Sequence, residues 1–233
     1  MLSTTTLLEK LNYIQGRIYK TAVRAGRNPN SITLIAITKT HSKETWEQAL
    51  SVNLTNLGES RIQEAQKKTE TFSKRDKIKL HLIGHLQSNK VRKAIDLFDI
   101  IQTVDSIKLA ERINRISGEK SKKQHIYIQL NTLKNLKKNG FSTIKAKSAA
   151  KEISKMENIN LKGIMTTPPP YLEPSELRSI FRTTREIRDD IRSNINKHCK
   201  HISMGMSGDY EIAITEGATH IRIGTALFGV RKQ

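Results

Sequence analysis

Ile32-Thr-Leu-Ile-Ala-Ile-Thr38, followed at once by Lys39, carries the clearest structural signal in the chain. Its density of β-branched residues marks a buried strand rather than a helix. Working outward, Leu8, Leu11, Ile14 and Ile18 recur at helical spacing, so a helix is expected over roughly Leu7 to Ala25. Downstream the strand signal returns at Leu54–Leu57, Leu80–Ile83, Ile100–Val104, Ile126–Leu130, Leu161–Met165, Ile202–Met204 and Ile221–Ile223, with longer helical patterns between. Eight strands alternating with helices predict a parallel sheet closed as a (β/α)8 TIM-type barrel with an extra N-terminal helix; an open doubly wound sheet is the structural alternative. The 233 residues match the ~200–250 of one such barrel, so residues 1–233 are read as a single domain. Helix starts are expected at Ser42, at Ser106, at Ser207, and at a capping box Ser60-Arg-Ile-Gln63. Thr166-Thr-Pro-Pro-Pro-Tyr171 reads as a rigid extended loop, because its prolines forbid helix.

Composition narrows the class. The 36% of apolar residues support a core, while mean hydropathy is −0.52 and no run approaches the ~18–20 apolar residues of a membrane span. The single cysteine, Cys199, excludes a disulfide scaffold and reads as a structural or surface thiol, compatible with a reducing compartment. Met1 to Lys20 shows no apolar signal-peptide core, so the cytoplasm is expected, and a monomer. The 41 Lys+Arg against 22 Asp+Glu leave +19, which admits non-specific contact with nucleic acid. The charge is spread, with short clusters at Lys120-Ser-Lys-Lys123 and Lys134 to Lys138. Arg178, Arg182, Arg185 and Arg192 form a basic stripe beside an apolar one of Leu177, Phe181, Thr184, Ile187, Ile191 and Ile195. That stripe reads either as a solvated face or as a polyanion-binding one; aromatics at 5% make base-stacking platforms scarce.

In a barrel, function sits at the strand ends. Lys39 follows Ile35 and Ile37 with period two, so it should share their inward face. There it is either a lysine snorkelling from the mouth or a desolvated amine able to form a Schiff base with an aldehyde. Ser203-Met-Gly-Met-Ser-Gly-Asp209 leads small residues into a helix start, an anion-attracting arrangement to which Ser207 adds a hydroxyl. Arg222-Ile-Gly-Thr225 ends the eighth strand, and Gly224 permits close backbone approach to a ligand. Barrel enzymes often place a phosphate after strands seven and eight. Arg222 is a cation among apolar strand residues, bound either in an internal salt bridge or to a pyridine nitrogen. Pyridoxal 5'-phosphate fits these features together: aldehyde to Lys39, phosphate to Ser207, Gly224 and Thr225, ring nitrogen to Arg222. The seven histidines and Cys199 form no metal-ligand spacing, and His81 and His85 are read as barrel-mouth residues.

Five motifs carry a family resemblance. Thr38-Lys39-Thr40, Gly58-Glu59, His81-Leu-Ile-Gly-His-Leu-Gln-Ser-Asn-Lys90, Ser203-Met-Gly-Met-Ser207 with Asp209, and Arg222-Ile-Gly-Thr225 with Phe228-Gly229 resemble those of the pyridoxal phosphate homeostasis proteins, single-domain relatives of the alanine racemase barrel domain. The resemblance implies that Lys39 carries the cofactor covalently as an internal aldimine. It also implies that Ser207, Gly224 and Thr225 hold the phosphate and that Arg222 faces the ring nitrogen. Ser60 and Asn135 stand where the family usually has Asn and often has Glu, while Lys138 and Gly140 match.

A cation beside the pyridine nitrogen disfavours ring protonation and weakens the electron sink. Racemisation also needs a second base, which alanine racemase draws in part from a second domain that the eight residues after Thr225 are not expected to supply; Tyr171 is the one tyrosine weighed for that role. The expectation is therefore a non-catalytic carrier that buffers pyridoxal phosphate or delivers it to apo-enzymes. The alternative is a low-activity, racemase-like enzyme using the same Schiff base.

Overall fold

β1 (Thr33–Ile37) forms where the opening stretch predicts it, one residue shorter at each end. The computed structural model describes residues 4–132 and 139–229. The lysine cluster at 134–138, with Asn135 and Lys138, lies outside the described residues. α1 (Thr4–Arg24) precedes β1 and buries Leu7, Leu11, Ile14 and Ile18; Leu7, rather than the expected Leu8, completes the apolar stripe. There follow α2 (Glu44–Ser51), β2 (Asn56–Glu59), α3 (Ile62–Thr71), β3 (Lys79–Leu82), α4 (Val91–Leu97), β4 (Ile100–Val104), α5 (Ile107–Glu119) and β5 (Gln124–Asn131). Then come β6 (Phe141–Ser142), α6 (Thr143–Ile153), β7 (Ile159–Thr166), α7 (Pro174–Asn194), β8 (His201–Ser203), α8 (Tyr210–Thr215), β9 (His220–Ile223) and α9 (Thr225–Phe228).

Eight of these strands close into a ring, in the order β1-β2-β3-β4-β5-β7-β8-β9 and back to β1. Every pairing is parallel, and the β4–β5 and β9–β1 pairs exclude an open sheet. β6 is an unexpected two-residue addition that extends the far end of β5, pairing Leu130 with Phe141 and Asn131 with Ser142.

Side chains alternate along each strand, which separates two layers. Outward residues such as Leu57, Leu80, Ile101 and Ile126 join the helices in one continuous apolar core. The register aligns Ile35 with Arg222, Ile37 with Gly58, and Gly58 with His81, which defines the inner face. That interior is unusually polar. His81, Gln102, Ser203 and Arg222 are all buried within it.

Three local expectations need correction. α3 starts at Ile62 with Arg61 as N-cap and no side-chain cap bond, so the Ser60–Gln63 capping box does not form. α8 starts after Asp209, not Ser207; the Asp209 carboxylate instead accepts the Met206 N–H and braces the preceding loop. His81 is fully buried inside the barrel, whereas His85 is half-exposed and pairs with Asp105 at 3.1 Å. Ser106 does cap α5, accepting from Leu109 N at 3.3 Å. α7 buries the expected Leu177, Phe181, Thr184, Ile187 and Ile191, and Ile195 packs against the same core. Its Arg178, Arg182 and Arg185 gather around the buried Glu216 at 3.6, 3.5 and 3.7 Å, so much of that stripe ties α7 to the end of α8.

Candidate functional site

The loops after β1, β8 and β9 meet at one end of the barrel around a cavity of about 230 Å³. That lies below the ~300 Å³ low end of ordinary drug-sized pockets, so it suits a single small ring with short substituents. Lys39, Ser207, Arg222, Gly224 and Thr225, singled out on separate segments of sequence, all line it, with Ile37 and Ile83 as apolar walls.

Lys39 is not sealed in a dry interior. It sits half-buried on the rim, in the turn just past β1. Thr40 beside it takes a left-handed φ of 66°, uncommon for a threonine. Two bonds fix the flanks of the turn: Lys68 Nζ donates to Thr38 O at 2.9 Å, and Thr40 N donates to Glu64 Oε1 at 2.5 Å.

Opposite lies the small-residue cradle. Ser207 Oγ accepts from Ala226 N at 3.4 Å, which stitches the loop before α8 to the start of α9. Gly205 adopts φ 92°, and a Cβ there would sit 2.6 Å from that of Ala213, so only glycine lets this loop lie against α8. Gly205 O accepts from Arg222 N at 2.9 Å, which couples the loop to β9. A Cβ on Gly208 would meet nothing within 4 Å, leaving bare backbone beside open space in the cavity.

Arg222 occupies the inner end. Its Nη1 donates to Ser203 Oγ at 2.8 Å, and Nη2 donates to Thr166 O at 2.9 Å and Thr167 Oγ1 at 3.1 Å. Among the described residues it forms no direct ion pair, so the internal salt bridge is not what holds it; Asp209 acts on it only electrostatically. Burial lowers its pKa to about 10, which still leaves a cation at neutral pH. The polar chain continues inward. Ser203 Oγ donates to Gln102 Oε1 at 2.7 Å, and Gln102 Nε2 donates to His81 Nδ1 at 2.9 Å. His81 Nε2 is then left to donate to Asn56 Oδ1 at 3.2 Å. Every donor points away from Arg222, so one guanidinium orients five side chains.

Reasoning from sequence missed Ser203, Gln102, Thr166 and Thr167 as holders of Arg222, and Glu64 and Lys68 as holders of the lysine turn. Period-two alternation would have placed Ser203 inside the barrel, but Lys68 carried no signal beyond its place on a helix. Tyr171 is fully exposed, with φ 66°, and does not line the cavity.

The residues present fit pyridoxal 5'-phosphate: an amine on one rim, a bare serine-glycine backbone for an anion on the other, and a buried cation at the end of a small cavity. A closed barrel with this site is a small-ligand binder of the alanine racemase N-terminal type, and the family model for "Alanine racemase, N-terminal domain" matches residues 20–232. Among curated relatives, the pyridoxal phosphate homeostasis protein of Aquifex aeolicus is 36% identical over 96% of this chain and 98% of its own. A crystal structure described as an unknown protein from Bifidobacterium adolescentis superposes with TM-score 0.92 at 31% identity, covering 98% of each chain. PipY of Synechococcus elongatus, solved with pyridoxal phosphate bound, gives TM-score 0.84 at 32% identity, covering 96% of this chain and all of PipY. The chain belongs to the pyridoxal phosphate homeostasis protein family.

Proposed function

We propose that this protein holds pyridoxal 5'-phosphate covalently on Lys39 as a Schiff base and serves in the cytoplasm as a carrier in vitamin B6 homeostasis, buffering the cofactor or delivering it to apo-enzymes. The observation that carries this reading is the convergence of Lys39, Ser207, Gly224, Thr225 and the buried Arg222 on one small cavity. When bound, the cofactor supplies a reactive aldehyde that an amine can take up and release reversibly.

The chain's own residues do the rest. Ser207, Gly224 and Thr225 receive the phosphate, with the Ser207–Ala226 bond keeping the two loops in register. Arg222 is a fixed cation whose bonds run to neutral groups, so it presents positive charge to a ring nitrogen and opposes its protonation. That arrangement favours holding over turnover.

The test is spectroscopic. Purified protein loaded with pyridoxal 5'-phosphate should show the visible absorption of a lysine Schiff base, and Lys39→Ala should abolish it. A variant that keeps the band refutes the assignment. Incubation with L-alanine followed by chiral chromatography separates carrier from catalyst: turnover at ordinary enzyme rates would reject the carrier reading.

A further inference from the structure

We propose that the cluster of buried Glu59 and Lys68 with partly exposed Glu64 is a positioning device for Lys39, a role that rests on the reading of Lys39 given above. Lys39 lies between two residues that are bolted from beneath. The Lys68 ammonium has three N–H donors and meets three acceptors: Thr38 O at 2.9 Å, Glu59 Oε1 at 2.7 Å and Glu64 Oε1 at 2.9 Å. Glu64 Oε1 also takes the Thr40 N–H at 2.5 Å. On the other side, Thr38 Oγ1 donates to Glu59 Oε1 at 2.7 Å, and Trp46 Nε1 reaches Thr38 Oγ1 at 3.0 Å and Glu59 Oε1 at 3.1 Å. Helices α2 and α3 thus both grip the turn, one through Trp46 and the other through Glu64 and Lys68.

The cluster is a poor way to gain stability. Lys68 and Glu59 have side chains only 5% and 0% exposed, and desolvating each ion costs several kcal/mol that well-packed apolar residues would avoid. Glu59 Oε2 is buried with no hydrogen-bond partner. Thr40 adds the strain of a left-handed φ. Three costly features meet at the one turn that carries Lys39. Their common effect is to fix the direction in which residue 39 leaves the backbone, and therefore where its amine can meet an aldehyde. Lys68 and Glu64 are positioning residues, since neither lines the cavity.

The test compares two ligands that differ at one carbon. Pyridoxal 5'-phosphate presents an aldehyde to Lys39; pyridoxine 5'-phosphate carries an alcohol there and depends only on the ring and phosphate contacts. Lys68→Met and Glu64→Ala should each weaken pyridoxal 5'-phosphate binding by about tenfold or more, since misplacement by ~1 Å can cost two orders of magnitude. Binding of pyridoxine 5'-phosphate should stay unchanged, and borohydride trapping on Lys39, read by mass spectrometry, should fall in parallel. Glu64 is partly exposed, so Glu64→Ala leaves the core intact. If Lys68→Met fails to fold because it strands Glu59, the double variant Glu59→Gln/Lys68→Met removes both charges together. Equal weakening of both ligands, or of neither, overturns the proposal. Lys39→Ala, measured alongside, separates the two claims. If it binds the aldehyde as tightly as the wild type, the Lys39 assignment itself falls; if it loses that preference while the α3 variants keep it, only the positioning role falls.

Discussion

Acidification should destabilise the barrel through its own interior, and His81 sets the scale. It is fully buried, and burial pushes its pKa from 6.5 down to about 3, with Asp99 favouring the charged ring and Lys79 and His201 opposing it. His220, also buried, is pushed down in the same direction. Between these values the unfolded chain binds a proton that the folded chain refuses. Stability is therefore intact above about pH 6.5 and is lost as the pH falls toward about 3. At ~1.4 kcal/mol per pH unit, His81 alone should remove about 3 kcal/mol between pH 7 and pH 4.5, out of a total typically near 5–15 kcal/mol. Protonation would also turn Nδ1 into a donor facing the Gln102 amide donor, breaking the chain that ends on Arg222. The assay is urea unfolding followed by the fluorescence of the single tryptophan, the buried Trp46, at both pH values. His81→Gln should be less stable at pH 7 yet lose about 3 kcal/mol less than the wild type on acidification. The same loss in both proteins would mean that His81 does not set the acid sensitivity.

Two further outcomes follow from the packing. Gly84→Ala would place a Cβ 2.1 Å from the backbone oxygen of Ser60, so urea titration should show a loss of about 3 kcal/mol or more. Cys199 is buried and its thiol is pushed up to about 12, so Ellman's reagent should leave it unmodified in the native protein and react once denaturant is added.

Much of the fold was legible because strands and amphipathic helices are written locally. Eight strands appear where β-branched runs predicted them, with ends moved by a residue or two. β2 is the largest displacement: its pairing with β1 and β3 draws in Gly58 and Glu59, which no local propensity marks as strand. β6 was missed because two residues carry no periodicity. The caps at Ser60 and Ser207 were misplaced because a serine near a helix start bonds whatever the fold puts beside it, and for Ser207 that was Ala226 N.

Chain periodicity alone determined which side chains share a face: Lys39 with Ile35 and Ile37, and Arg222 opposite Ile221 and Ile223. It therefore singled out Lys39 and Arg222, while the small residues at the ends of the last two strands singled out Ser207, Gly224 and Thr225. What holds those residues in place was decided only when the ring closed. Ser203 meets Gln102 across 101 positions of chain, and Lys68 meets Thr38 across 30. A hydrogen bond demands about 3 Å between two particular atoms, and that distance depends on every strand in between. Local pattern sets direction; only tertiary packing sets distance.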